Sequence, residues 1–108
     1  MKGDRLGEFE EFTLLALHAL GSDTYAVPVQ AFVEQATKRE ISMGAIYAAL
    51  ERLERKGYVR SSFGEPSPVR GGKRKRLFTV TSQGVRTLTE LRRVRKKMWD
   101  TIEEGSHS

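Results

Sequence analysis

At Gly57 the hydrophobic repeat of this chain changes period. Before it, apolar residues recur every three or four positions. From Tyr58 onward they alternate, with Val59, Ser61 and Phe63 on one face and Tyr58, Arg60 and Ser62 on the other. A second alternating run, 76–81, sets Phe78 and Val80 against Leu77 and Thr79. The stretch between them, 64–75, contains Pro66, Pro68 and the pair Gly71-Gly72, too rich in breakers for either regular structure. The order is therefore helices first, then a two-stranded antiparallel hairpin with a long tip. Six basic residues, Arg60, Arg70, Lys73, Arg74, Lys75 and Arg76, crowd that hairpin.

Three helices are predicted ahead of it. In the first, Phe9, Phe12, Leu15, Ala16, Ala19 and Leu20 recur at helical spacing, Leu14 and Leu17 widen the stripe, and Gly21 is the stop. So broad a stripe predicts burial on more than one side, partly against a second subunit. The turn Ser22-Asp23-Thr24 supplies an N-cap for a second helix, 25–38, with Val29, Phe32, Val33 and Ala36 on one face and Pro28 in its opening turn. Ser42 caps the third, which runs to Lys56 with Gly57 as its stop. Ile46, Leu50 and Leu53 form its inward face, flanked by Met43 and Ala49, while Gly44, Ala48, Glu51, Arg52 and Arg55 lie opposite. Helix propensity does not favour Gly44 in a solvated first turn. Either Gly44 and Ala48 are merely tolerated there, or they let a partner approach the backbone closely.

After the hairpin, Thr81 or Ser82 caps a last helix whose stripe is Val85, Leu88, Leu91, Val94, Met98 and Ile102, with Trp99 beside it. The domain is too small to cover all of it. The outer part, 91–102, is expected to pack on a second copy, through the same helix or the first one with Phe9 and Phe12, giving a two-fold dimer. The expected divisions are a domain at 6–81, a dimerisation helix at 82–104 and a flexible tail at 105–108.

A chain of 108 residues has room for one compact domain, and 38% hydrophobic with 31% charged residues is a globular balance. It has no cysteine, and its two histidines are His18 and His107, so thiol chemistry and cysteine-ligated zinc are excluded. His18 has no second ligand at metal spacing. No metal or other cofactor is expected. Neither a signal-peptide core nor an apolar run of about 18 residues is present, so the expected setting is the cytoplasm. The net charge of +5 hides an asymmetry: residues 1–51 carry a net −4, residues 52–97 a net +12, and Asp100, Glu103 and Glu104 follow. A positive block of this kind suggests a polyanion, with nucleic acid the expected one, against the alternative of a solvated basic face.

Helix, turn, helix and hairpin in this order describe a winged helix-turn-helix of α+β class, mostly α, with an added C-terminal helix. Its third helix can lie in the major groove while the basic hairpin reaches phosphates or the minor groove. The N-terminus of the third helix at Ser42 adds N–H donors for one more phosphate. The segment Ser42-Met43-Gly44-Ala45-Ile46-Tyr47-Ala48-Ala49-Leu50-Glu51-Arg52-Leu53-Glu54-Arg55-Lys56-Gly57-Tyr58-Val59, followed by Gly71-Gly72-Lys73-Arg74-Lys75-Arg76-Leu77-Phe78 and Thr81-Ser82-Gln83-Gly84, resembles the PadR family of bacterial transcriptional regulators. The resemblance covers 7–94 and implies a homodimeric winged-helix repressor on a pseudo-palindromic operator, dimerised largely through its C-terminal helix, of the smaller size class. Carried over by position, Ser42, Ala45 and Tyr47 meet DNA from the third helix, and Lys73 and Arg74 from the wing. Two departures stand out: Ala48 replaces the proline that often follows the tyrosine, and Tyr25-Ala26-Val27 replaces Tyr-Gly-Tyr.

The expected DNA-facing set is Ser42, Gly44, Ala45, Tyr47, Ala48, Arg52, Arg70, Lys73, Arg74 and Lys75, with Tyr47 offering its hydroxyl to a phosphate or simply packing. The expected dimer set is Phe9, Phe12, Leu91, Val94, Met98, Trp99 and Ile102. Trp99 either packs in that interface or lines a cavity for a small aromatic or cationic effector, as in effector-sensing members of the family. A different class of function keeps the fold and makes the basic hairpin and outer helix a docking surface for an acidic protein. RNA binding, suggested by Arg70-Gly71-Gly72, is disfavoured by the scarcity of exposed aromatics. Gly71-Gly72-Lys73 lacks the spacer and following hydroxyl of a phosphate-binding loop. An enzyme is not expected, because the carboxylates read as solvated helix positions with no histidine or cysteine to complete a site.

Overall fold

The computed structural model describes residues 5–65 and 74–105. Its elements are α1 (Glu8–Leu20), α2 (Ala26–Thr37), α3 (Met43–Arg55), β1 (Val59–Phe63), β2 (Arg76–Val80) and α4 (Ser82–Gly105). Most boundaries have the anticipated causes. Ser42 Oγ accepts the Ala45 N–H at 3.0 Å and caps α3. Gly21 and Gly57 follow α1 and α3 at φ +99° and +85°, where a side chain would be strained. Thr81, not Ser82, caps α4: its hydroxyl accepts the Gly84 N–H at 3.1 Å and donates to the Gly57 carbonyl at 2.7 Å.

The start of α2 differs from expectation. Tyr25 occupies the N-cap without a side-chain cap bond, and the turn before it is used elsewhere. Thr24 exchanges both backbone hydrogen bonds with Phe78 (3.0 and 2.8 Å), and the Asp23 N–H reaches Thr79 Oγ1 at 2.9 Å. This one-residue rung lies beside the antiparallel hairpin, whose register pairs Val59 with Val80, Ser61 with Phe78 and Phe63 with Arg76. A single rung has no alternation for a sequence pattern to reveal.

The core is a cluster in which Leu14 and Leu17 of α1, Val29 and Val33 of α2, Ile46, Leu50 and Leu53 of α3, and Phe78 of β2 meet. Two sequence expectations are corrected here. Leu15, Ala19 and Leu20 are exposed, while Leu14, Ala16 and Leu17 are the buried apolar residues of α1, with Thr13 beside them. The width of that stripe is taken up largely within the chain, since α1 packs on α2, α3, α4 and β2. Tyr58 is buried rather than sharing the outer face with Arg60: it precedes β1, and its carbonyl receives the Thr81 N–H at 3.0 Å.

The root of α4 packs tightly on the hairpin. A Cβ built at the buried Gly84 meets the Tyr58 carbonyl oxygen at a forbidden distance and Val80 Cγ1 at 2.7 Å, so only glycine fits. Leu88 reaches the core; beyond it the helix leaves the body. At 24 residues α4 spans about 36 Å. The radius of gyration, 16.5 Å, accordingly exceeds the roughly 13 Å of a compact domain of about 100 residues.

Candidate nucleic-acid interface

The four sides of α3 have different surroundings. Its inner side, Ile46, Ala49, Leu50 and Leu53, is fully buried. One flank is tied to the hairpin: Glu54 accepts from Ser61 Oγ (2.8 Å) and Arg76 Nη2 (2.7 Å), and Arg76 Nη1 lies 3.5 Å from Glu51. The other flank is tied to α1, where Glu10 accepts from Arg52 Nε (2.9 Å) and Lys56 Nζ (2.8 Å). Burial by itself raises the Glu10 pKa, but hydrogen bonds from Lys56, the Gly7 N–H and Arg52 outweigh it and hold the carboxyl below its ordinary range.

What remains is the outward face. Gly44, Tyr47, Ala48, Glu51 and Arg55 are exposed there, and Ser42 is exposed at the helix N-terminus. Ala45 is half-buried beside them. A Cβ at Gly44 would find only Ser42 Oγ, 3.9 Å away, so nothing among the described residues explains glycine at that position. The Tyr47 hydroxyl has no hydrogen-bond partner among the described residues. Arg52, expected on this face, is instead half-buried, with its Nε held by Glu10. It sits about 120° around the helix from Ile46, far enough from the outward centre for α1 to capture it.

Both basic residues described at the wing root are exposed and already oriented. Arg74 Nε donates to the Gly64 carbonyl at 2.9 Å, and its guanidinium lies 5.9 Å from the Phe63 ring. The Lys75 ammonium stands 4.0 Å over the Tyr25 ring. Arg70 and Lys73 lie outside the described residues. Arg76, counted among the hairpin's cations, is largely neutralised by Glu51 and Glu54.

The carboxylates of α1 are the residues that the sequence reading missed. Glu10 and Glu11 are both buried, not solvated. A usable signal existed: Glu10 precedes Leu14 and Leu17 by four and seven positions, placing it on the core stripe. Glu11 accepts from Arg95 Nη2 of α4 at 2.7 Å.

Of the expected dimer residues, Phe9 and Phe12 are half-buried against the core and Leu91 is half-buried, whereas Val94, Met98, Trp99 and Ile102 are exposed. Met98, Trp99 and Ile102 are 61%, 62% and 57% exposed and share one side of α4 with Arg95. An open, mainly apolar groove of about 410 Å³ also lies between α1 and α2, lined among others by Phe12, Leu15 and Phe32. No group of three potential metal ligands exists among the described residues, and none of their helices is long and apolar enough to cross a membrane.

The model of the PadR-like family of transcriptional regulators matches residues 14–90, which include α2, α3, the hairpin and the root of α4. The chain belongs to this family. Solved structures similar to this PadR-like chain include a PadR-like transcription factor from Bacteroides fragilis (TM-score 0.72, 22% identity, covering 89% of this chain and 87% of that one). Another is a PadR family transcription regulator from Clostridium difficile (TM-score 0.60, 23% identity, 91% and 93% covered). A third is a PadR-like transcriptional regulator from Bacillus cereus (TM-score 0.67, 17% identity, 89% and 88% covered). At these identities the structures speak for the winged-helix fold. No curated protein matches the chain. This PadR-like protein is thus a transcriptional regulator built as a winged helix with a long C-terminal helix.

Proposed function

We propose that this regulator is a homodimeric repressor that binds a pseudo-palindromic DNA operator. The outward face of α3 is the observation that carries the reading. It is bare of large side chains at Gly44 and Ala48, and the hairpin holds one flank. A groove wall or base edge can approach its backbone without displacing anything. The N–H groups behind Ser42 and the Tyr47 hydroxyl contact phosphates, and Arg74 and Lys75 add cations beside them. The exposed side of α4, with Val94, Met98, Trp99 and Ile102, joins two copies about a two-fold axis. A small aromatic or cationic effector acts next to Trp99 in that interface and releases the DNA.

A mobility-shift titration on DNA upstream of the protein's gene tests the reading. Binding should be salt-sensitive, and Arg74→Ala should weaken it on every sequence while flattening the salt slope by about one unit. An unchanged slope and affinity would remove the wing from the interface. A lack of salt-sensitive binding would favour docking to an acidic protein instead.

A further inference from the structure

Two adjacent carboxylates on α1 grip two different helices. Glu10 holds Arg52, in the last turn of α3, and Lys56, the residue that caps its C-terminus, at 2.9 and 2.8 Å. Glu11 holds Arg95 of α4 at 2.7 Å. One helical position separates them, so their side chains diverge by about 100°, one toward α3 and the other toward α4. The carboxylate side chains are only 7% and 9% exposed. A buried carboxylate that loses its cation is not cheaply rehydrated, which makes each pair a geometric constraint rather than a loose surface contact.

Their locations give the constraint a use. Arg52 and Lys56 anchor α3 at the end away from Ser42, so its N-terminal half, packed on the core through Ile46 and exposed at Gly44, Tyr47 and Ala48, has a fixed base. Leu88 is the last buried side chain of α4, and Arg95, about two turns further out, ties the helix back to α1. The ten residues after Arg95 form an arm of about 15 Å that carries Met98, Trp99 and Ile102. A tilt of about 10° over such an arm displaces its end by about 2.6 Å, or about 5 Å summed over two protomers. That exceeds the rise of one base pair, about 3.4 Å.

We propose that Glu10 and Glu11 are positioning residues that lock the angle between α3 and the overhanging half of α4, and so set the half-site spacing that the dimer accepts. The proposal rests on the dimeric DNA-binding reading given above. The α1 bracket makes the two recognition helices a rigid pair whose separation is selected before DNA is met.

The chain has no cysteine, so a spin label placed through Arg55→Cys, on the exposed face of α3, is unique. In the dimer the label-to-label distance distribution should be narrow. Neutralising the pair by Glu11→Gln or by Arg95→Gln should shift or broaden it by about 3 Å or more, about one base-pair rise. Exchanging the charges, Glu11→Lys with Arg95→Glu, should narrow it again. Asp100→Asn, which breaks the exposed Lys96 pair on the same helix, should leave it unchanged. The DNA readout uses the upstream fragment with one base pair inserted at the centre of its protected site. The wild type should lose about tenfold in affinity or more and Arg95→Gln about threefold or less, because a loosened dimer can follow the shifted half-site. Arg95 is mostly exposed, so its neutralisation leaves the core intact even if Glu11→Gln fails to fold. A folded Arg95→Gln with the wild-type distribution and the wild-type insertion penalty would overturn the proposal. Absence of any inter-label distance, or of DNA binding by the wild type, would overturn the dimeric reading and the bracket's role with it.

Discussion

The outward face of α3 and the apolar side of the outer half of α4 are both exposed among the described residues, yet they differ in what they offer. On α3 the centre of the face is Gly44 and Ala48, with a hydroxyl at Tyr47 and charges at Glu51 and Arg55. On α4 it is Met98, Trp99 and Ile102, three of the most exposed large apolar side chains in the chain. Burying the second surface releases much ordered water, about 1.5 to 3 kcal/mol per side chain. Burying the first releases little, and its value lies in letting a polar surface come close to the backbone. Exposure alone therefore does not define a partner. Side-chain size and polarity thus support the proposed division, in which α3 meets a hydrogen-bonding ligand and α4 another apolar helix.

The largest expected effect tests the α4 side. Met98→Glu combined with Ile102→Glu should weaken self-association by about three orders of magnitude, from the apolar burial lost, as read by sedimentation. A dimer of undiminished affinity would move the interface elsewhere, with the α1–α2 groove the next surface to examine. Next comes the anchorage that makes α4 an overhang at all. Gly84→Ala should cost about 1 to 3 kcal/mol in urea unfolding, since its methyl collides with the Tyr58 carbonyl and Val80. On α3, Gly44→Ala should separate stability from binding. It fills open space and improves helix propensity, raising stability by about 0.5 to 1 kcal/mol, while DNA affinity falls. A stabilised variant with unchanged affinity would break the assignment of that face.

The smallest effect concerns pH. The Glu10 pKa is lowered in the folded chain, so its contribution is fully present above the ordinary carboxylate value of 4.5 and is lost as pH falls through the lowered folded value. Glu10→Gln should flatten the stability profile below about pH 4.5 relative to wild type, measured by thermal unfolding across an acid series.

Much of this architecture is readable from residues because local signals agree with the global fold. Ser42, Gly21 and Gly57 mark helix ends, and the change of period at Gly57 locates the hairpin. The outward face of α3 is legible for the same reason, since Gly44 and Ala48 stand out against helix propensity. What escapes is long-range and polar. Arg52 is drawn to α1 because a carboxylate forty-two positions earlier is buried next to it, a fact that no periodicity within α3 contains. Arg76 looks like a free cation of the wing until Glu51 and Glu54 are brought beside it by the fold. The breadth of the α1 stripe shows that the helix is covered on several sides, but a sequence does not show by which elements.

The rung between Thr24 and Phe78, with Asp23 clipped to Thr79, joins the turn ahead of α2 to the second strand of the hairpin. A hairpin held only by its own two strands can swing about its base, and that freedom is lost when it docks. Here the root of the hairpin is already stitched to the helical body. The orientational entropy is given up during folding rather than at the encounter with a ligand, so the hairpin's contacts express more of their strength as affinity.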